Sequence, residues 1–187
     1  MSTRLPDKLT PLSADEAIKL LAQAYKIVTG RAPNKTILGM LAGQSSLESG
    51  NYRMVHNFNL GNDKWNGREP FYQQYGVGDD PSDPGAKYTA HQNALEGAVR
   101  YIQVLKGREH WWKGLQSKDP RTFITALSTP PVYFTANPTT YLVGFQKEIS
   151  ENAQVVAKYA AKSWPFVLAA GISAYAAYYL ARKQAKG

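Results

Sequence analysis

The residues best placed to do chemistry in this 187-residue chain lie between Thr36 and Asn62, TILGMLAGQSSLESGNYRMVHNFNLGN. Ile37, Leu41, Gln44 and Glu48 follow one another at three- and four-residue steps. A helix here carries them on one stripe that ends in a carboxylate. Gly50 offers a left-handed stop just beyond, and the unpaired carbonyls of that helix end carry partial negative charge. Burial and the helix end both disfavour the ionised form. The pKa of Glu48 is therefore expected to rise, and a carboxyl still protonated near neutral pH is a general acid. The competing reading is a solvated glutamate on a frayed helix end. Other chemistries have less to work with. The chain has no cysteine, which excludes disulfides and thiolate zinc sites. His56, His91 and His110 lie in no HExxH-type spacing and read as surface or packing groups. No metal and no cofactor are expected.

The elements that must hold Glu48 can be read around it. Ser13 and Glu16 form a capping box, after which Ile18, Leu21, Tyr25 and Val28 make one apolar face and Gly30 ends the helix. Pro33 suits the opening of the second helix, which carries Glu48. From Asp63 to Lys87 helical periodicity is lost among Trp65, Tyr72, Tyr75, glycines, prolines and Asp79, Asp80 and Asp83. That segment reads as an irregular or hairpin lobe. Helical spacing returns between Thr89 and Leu105, through Leu95, Ala98, Val99, Ile102 and Leu105, and Asp119-Pro120 starts a short helix around Phe123, Ile124 and Leu127. Trp111 and Trp112 fall in the connection between them and read as core. Asn137-Pro138 is a good helix start that puts Tyr141 in the first turn.

Gly43-Gln44, Leu47-Glu48-Ser49-Gly50 and the loop Asn57-Phe58-Asn59-Leu60-Gly61-Asn62 together resemble the active-site helix and loop of lysozyme-superfamily enzymes that cut peptidoglycan glycan strands. The nearest likeness is to glycoside hydrolase family 73, the glucosaminidase and flagellar or phage muramidase domains. Tyr133-Phe134-Thr135-Ala136-Asn137-Pro138-Thr139-Thr140-Tyr141 is similar to that family's tyrosine, short turn, tyrosine segment before its last helix. The likeness covers about residues 33–149. It implies an α+β, predominantly helical lysozyme-like domain over about residues 1–150, with Glu48 as acid and Tyr141 at the site. Gln44, Asn57, Asn59, Asn62, Tyr72 and Tyr133 are then expected to bind substrate, the aromatic rings suiting apolar sugar faces. Core packing is the alternative for each aromatic, and for Tyr141 beside Leu142 and Phe145 in particular.

The chain departs from the family where a second glutamate is expected in the lobe. Only Glu69 and the aspartates stand there. Asp83 is the first choice for a base and Asp80 the second, and a separation of about 6.5–9.5 Å from the acid suits an inverting path. A solvated turn, favoured by Pro81, Pro84 and Gly85, is the other reading of the aspartates. Without a second carboxylate Glu48 acts alone, as in lytic transglycosylases, taking a proton from the sugar's own 6-hydroxyl.

Beyond a helical stem at about 151–162, residues 163–181, SWPFVLAAGISAYAAYYLA, contain no charge, close to the roughly 20 residues of a spanning helix. Lys158 and Lys162 precede this run and Arg182, Lys183 and Lys186 follow it in a basic tail, 182–187. A single transmembrane anchor is expected, with a buried or partner-packed soluble helix as the alternative. No signal-peptide apolar region opens the chain. The net charge of +8 invites anionic partners. No basic run with interleaved aromatics or helix-turn-helix spacing stands out, so nucleic acid is not expected among them. The expected partners are peptidoglycan glycan strands, a lipid membrane through the C-terminal helix, and other virion proteins. Together these features suggest a membrane-anchored phage virion lysin located in a virion membrane or bacterial envelope. A wall-binding or structural protein on a worn-out lysozyme scaffold is the non-enzyme alternative.

Overall fold

A computed structural model describes residues 2–67, 69–74 and 86–160. It is α+β and predominantly helical. The described residues form seven helices, α1 Ala14–Thr29, α2 Lys35–Glu48, α3 Ala94–Lys106, α4 Glu109–Gln116, α5 Pro120–Ser128, α6 Pro138–Glu151 and α7 Ala153–Ala160, and a small sheet of β1 Thr3–Arg4, β2 Phe71–Gln74 and β3 Lys87–Thr89.

Helix α2 is the centre of the fold. One apolar stripe was expected, but every residue from Ile37 to Ser46 is buried, because α1, α4, α6 and α7 all pack against it. A helix enclosed this way needs apolar or small residues on all sides, and Gly39, Ala42, Gly43, Ser45 and Ser46 supply the small ones. Gly43 permits the closest approach. A β-carbon there would lie 2.7 Å from Ile149 Cγ1 and 3.2 Å from the Phe145 carbonyl, so α6 can lie against α2 only where a side chain is missing. The buried Glu148 of α6 accepts a 2.5 Å hydrogen bond from the Ser46 hydroxyl and ties the two helices together polarly as well.

Three helix starts follow the sequence signals and three do not. Ser13 and Glu16 close the capping box of α1, and Gly30 ends it at a left-handed φ of 78°. Asp119 and Asn137 cap α5 and α6, each with proline in the first turn. Pro33, expected to open α2, instead precedes the cap. Asn34 takes that position because its Oδ1 accepts from the Ile37 N–H at 2.9 Å, satisfying a donor that proline could only leave empty. The helix expected from Thr89 starts later, at Ala94, because Asn93 caps it while residues 87–89 join the sheet. Trp111 and Trp112 lie within a helix, α4, rather than in a connection. Its cap residue, Arg108, makes no capping hydrogen bond, so no start signal marks it in the sequence.

The lobe after α2 contains the hairpin pair β2 and β3, antiparallel with Tyr72 opposite Thr89 and Gln73 opposite Tyr88. The polar N-terminal lead contributes β1, parallel to β2 with Thr3 beside Phe71. The lead continues as a strap across the Asn-rich loop: Thr10 N–H donates to the Val55 carbonyl at 2.7 Å, Asn57 N–H to Lys8 at 2.8 Å and Leu12 N–H to Tyr52 at 3.1 Å. Helix α7 covers most of the expected stem, yet it docks on α1 and α2 and buries Val156 and Tyr159 in the core. Among the described residues no helix is long and apolar enough to cross a membrane. The expected anchor 163–181, the basic tail 182–187, Tyr75, Asp79, Asp80 and Asp83 lie outside the described residues.

Candidate active site

Glu48 is the last residue of α2, and the chain reverses immediately after it. Asn51 N–H returns to the Ser46 carbonyl at 2.9 Å, and Gly50, Asn51 and Tyr52 take successive left-handed φ values of 54°, 57° and 62°. This is a glycine-terminated helix stop extended by two residues that carry side chains. Left-handed backbone is unfavourable for such residues. The fully buried Tyr52 holds the turn by donating to the Ala42 carbonyl at 2.9 Å.

Across from this end, the phenol of Tyr141 in the first turn of α6 donates to Glu48 Oε1 at 2.5 Å. Phe134 lies flat on the Tyr141 ring, with centroids 3.7 Å apart and an interplanar angle of 3°. Glu48 is partly buried. Burial pushes its carboxyl above the usual range, while the Tyr141 hydrogen bond and the Gln44 amide pull it part of the way back. Burial and the neighbouring Glu48 charge drive Tyr141 far up, so its proton stays on and it remains a donor.

Two more phenols complete the surround. Tyr101 of α3 donates to Gln44 Oε1, one turn back from Glu48. Tyr133 donates to the Gly61 carbonyl and meets Trp111 edge-on at 5.3 Å. Burial raises Tyr133, the Glu48 charge raises it further, and the Asp63 charge adds to both. Asp63 is held by the Arg100 Nε at 3.0 Å, and the same guanidinium binds Glu69 Oε1 at 2.8 Å. Burial raises Asp63 even against Arg100.

The other expected binders divide by what their side chains touch. Gln44 is fully buried, so its amide reaches Glu48's surroundings rather than a surface. Asn57 is buried and donates to the Pro6 carbonyl at 3.0 Å and to Gln73 Oε1 at 2.5 Å. Asn59 is spent on Asp63, accepting from its N–H at 2.9 Å and donating to its carbonyl at 3.0 Å. Both asparagines build the loop. Asn62 is exposed at a φ of 50°. Tyr72 stacks on Trp65 at 4.6 Å, with the Lys87 ammonium 5.1 Å from its ring centre, on the sheet lobe. Of the residues around Glu48, Tyr101 had gone unnoticed in the sequence. Its place on the buried face with Ala98, Ile102 and Leu105 was the available signal, since a phenol there must find an acceptor.

The histidines stay outside this arrangement. His91 is pushed down to about 3 by burial and by the Arg100 charge and is neutral at physiological pH. His56 Nδ1 sits 2.8 Å from Asp7. Among the described residues no three histidine, aspartate or glutamate side chains gather as a metal-binding group. Comparison of the chain with protein-family models, curated proteins and solved structures gave no match.

Proposed function

We propose that the protein is a glycosidase of lysozyme-like fold that cleaves the glycan strand of peptidoglycan, of N-acetylglucosaminidase or muramidase type, with Glu48 as the general acid. The observation that carries this reading is the Glu48–Tyr141 pair. Burial raises the Glu48 carboxyl above its ordinary range, the direction a general acid needs, and a phenol 2.5 Å away orients it. Donation of that proton to a glycosidic oxygen, as an oxocarbenium-like sugar forms, is the step such a group performs. The family likeness from Gly43 to Asn62 supplies the substrate class, and the uncharged run 163–181 supports a membrane-anchored virion lysin.

A lytic transglycosylase is the second reading. It is favoured by the polar groups described around Glu48, which are phenols and an amide, so that Glu48 itself would have to return as base. Mass spectrometry of glycan digested by the full chain in detergent decides between them. Hydrolysis adds one water per cut, and transglycosylation leaves anhydro ends. Glu48→Gln should lower release of either product by on the order of a hundredfold or more while the protein stays folded. Intact glycan after prolonged incubation with wild-type protein would overturn both readings and leave the wall-binding scaffold.

A further inference from the structure

Gln44 is wholly buried, yet its Nε2 has no hydrogen-bond partner. Buried donors are nearly always satisfied, so a vacant one invites explanation. The amide is not free to turn. Its Oε1 accepts the Tyr101 phenol, and Tyr101 is itself fully enclosed, with its hydroxyl also 3.4 Å from the Leu41 carbonyl. With the Tyr101 phenol donating to Oε1, Nε2 points away from Tyr101.

Gln44 precedes Glu48 by four residues, so the two share a helix face. The open amide end therefore meets the groups gathered there: Glu48 on α2, Tyr141 on α6 and Tyr133 from the segment before α6. No contact of Nε2 has hydrogen-bond geometry, but the amide is near enough to ease the ionisation of all three, against the larger effect of burial. The Glu48 charge adds to burial in raising Tyr101 of α3, and the charges of Glu48 and Asp63 do the same for Tyr133.

We propose that Gln44 is a positioning residue, locked by Tyr101 so that its unused N–H donor receives the negative charge Glu48 acquires when it gives up its proton. While Glu48 is protonated, Tyr141 alone satisfies Oε1. Once the proton has gone to the leaving oxygen, the carboxylate needs further donors, and Gln44 supplies one from inside the protein where water is excluded. This role rests on the glycosidase reading but can be measured apart from it.

The test is titration of Glu48 in full-length, detergent-solubilised protein by NMR with carboxyl-labelled glutamate, assigned by the signal lost in Glu48→Gln. Gln44→Met keeps the shape and removes the donor. The Glu48 midpoint should then move upward by about one pH unit, the size of one hydrogen bond to a charged group. Tyr101→Phe, which unlocks the amide, should move it in the same direction by less. Where glycan cleavage is measurable, the alkaline limb of its pH profile should follow the same shift. A merely structural glutamine would lower stability and leave the midpoint in place, and an unmoved midpoint in both variants overturns the proposal. A shifted midpoint in a protein that cuts no glycan supports the role of Gln44 and rejects the glycosidase reading.

Discussion

In the proposed role Glu48 combines two properties that pull in opposite directions, usefulness as an acid and cost to the fold. Its folded-state pKa is raised by burial. The stability that the protonated carboxyl contributes is therefore complete below the unfolded pKa and is lost as pH rises through the folded one. Glutamine has no proton to lose. Glu48→Gln should melt about a few degrees above the parent at roughly pH 8, with the gap closing toward about pH 4. A gap in melting temperature that stays constant across this range would count against the assignment of burial as the cause. Tyr141→Phe removes the donor to Oε1. It should raise the alkaline limb of activity and slow cleavage on the order of ten- to a hundredfold, as expected for one hydrogen bond to a charged group. Steady-state kinetics across pH reads both effects. The helix-end positions of Glu48 and Tyr141 were legible in the sequence because the flanking glycine, asparagine and proline fix them. Asn57 and Asn59 were not legible in the same way. A polar loop residue looks identical whether it serves a ligand or the loop, and these two spend their amides on Pro6, Gln73 and Asp63.

At the scale of elements, the site is a contact between two helices that could not meet without Gly43. Gly43→Ala would bring a methyl group to 2.7 Å from Ile149 Cγ1. The expected cost of overpacking is about 1–3 kcal/mol in denaturant unfolding, with a fall in cleavage rate as α6 shifts and Tyr141 leaves Glu48. An Ile149→Ala substitution added to Gly43→Ala should recover part of the rate by making room, whereas an unaltered rate in Gly43→Ala alone would show that α6 does not set the site. Three helix starts could be read from their caps, Ser13, Asp119 and Asn137, while the expected start at Thr89 gives way to one capped by Asn93 because residues 87–89 join the sheet. Helix α4 could not be read, because Arg108 offers no capping side chain and Trp111 and Trp112 suit a core segment of any kind. The strand β1 was hidden for a different reason. Two residues pairing with a strand almost seventy positions away leave no local period to detect.

For the whole molecule, α7 falls in the stretch read from the sequence as a stem, and it packs on α1 and α2. Val156 and Tyr159 are core residues, and Tyr159 and Lys158 each reach Asp15 at 2.5 Å. A chain ending at Ala161 is therefore expected to fold, stay in solution and keep its activity, while one ending at Asn152 should unfold or aggregate. Circular dichroism and gel filtration separate the two. If the run 163–181 is a membrane anchor, the full chain should float with liposomes on a density gradient and the chain ending at Ala161 should remain at the bottom. Recovery of the full chain at the bottom would remove the anchor from the proposal.

The contact between α7 and Asp15 also sets a path for mechanical load. A pull applied to the chain beyond Ala160 enters the domain through α7 and passes to the first turn of α1 and to the body of α2. The Glu48 turn lies off this line, held instead by Tyr52, Tyr141 and the strap of residues 3–12. Such a load is taken up by the α7 contacts with α1 and α2, at a distance in the chain from the hydrogen bonds that hold the Glu48 turn.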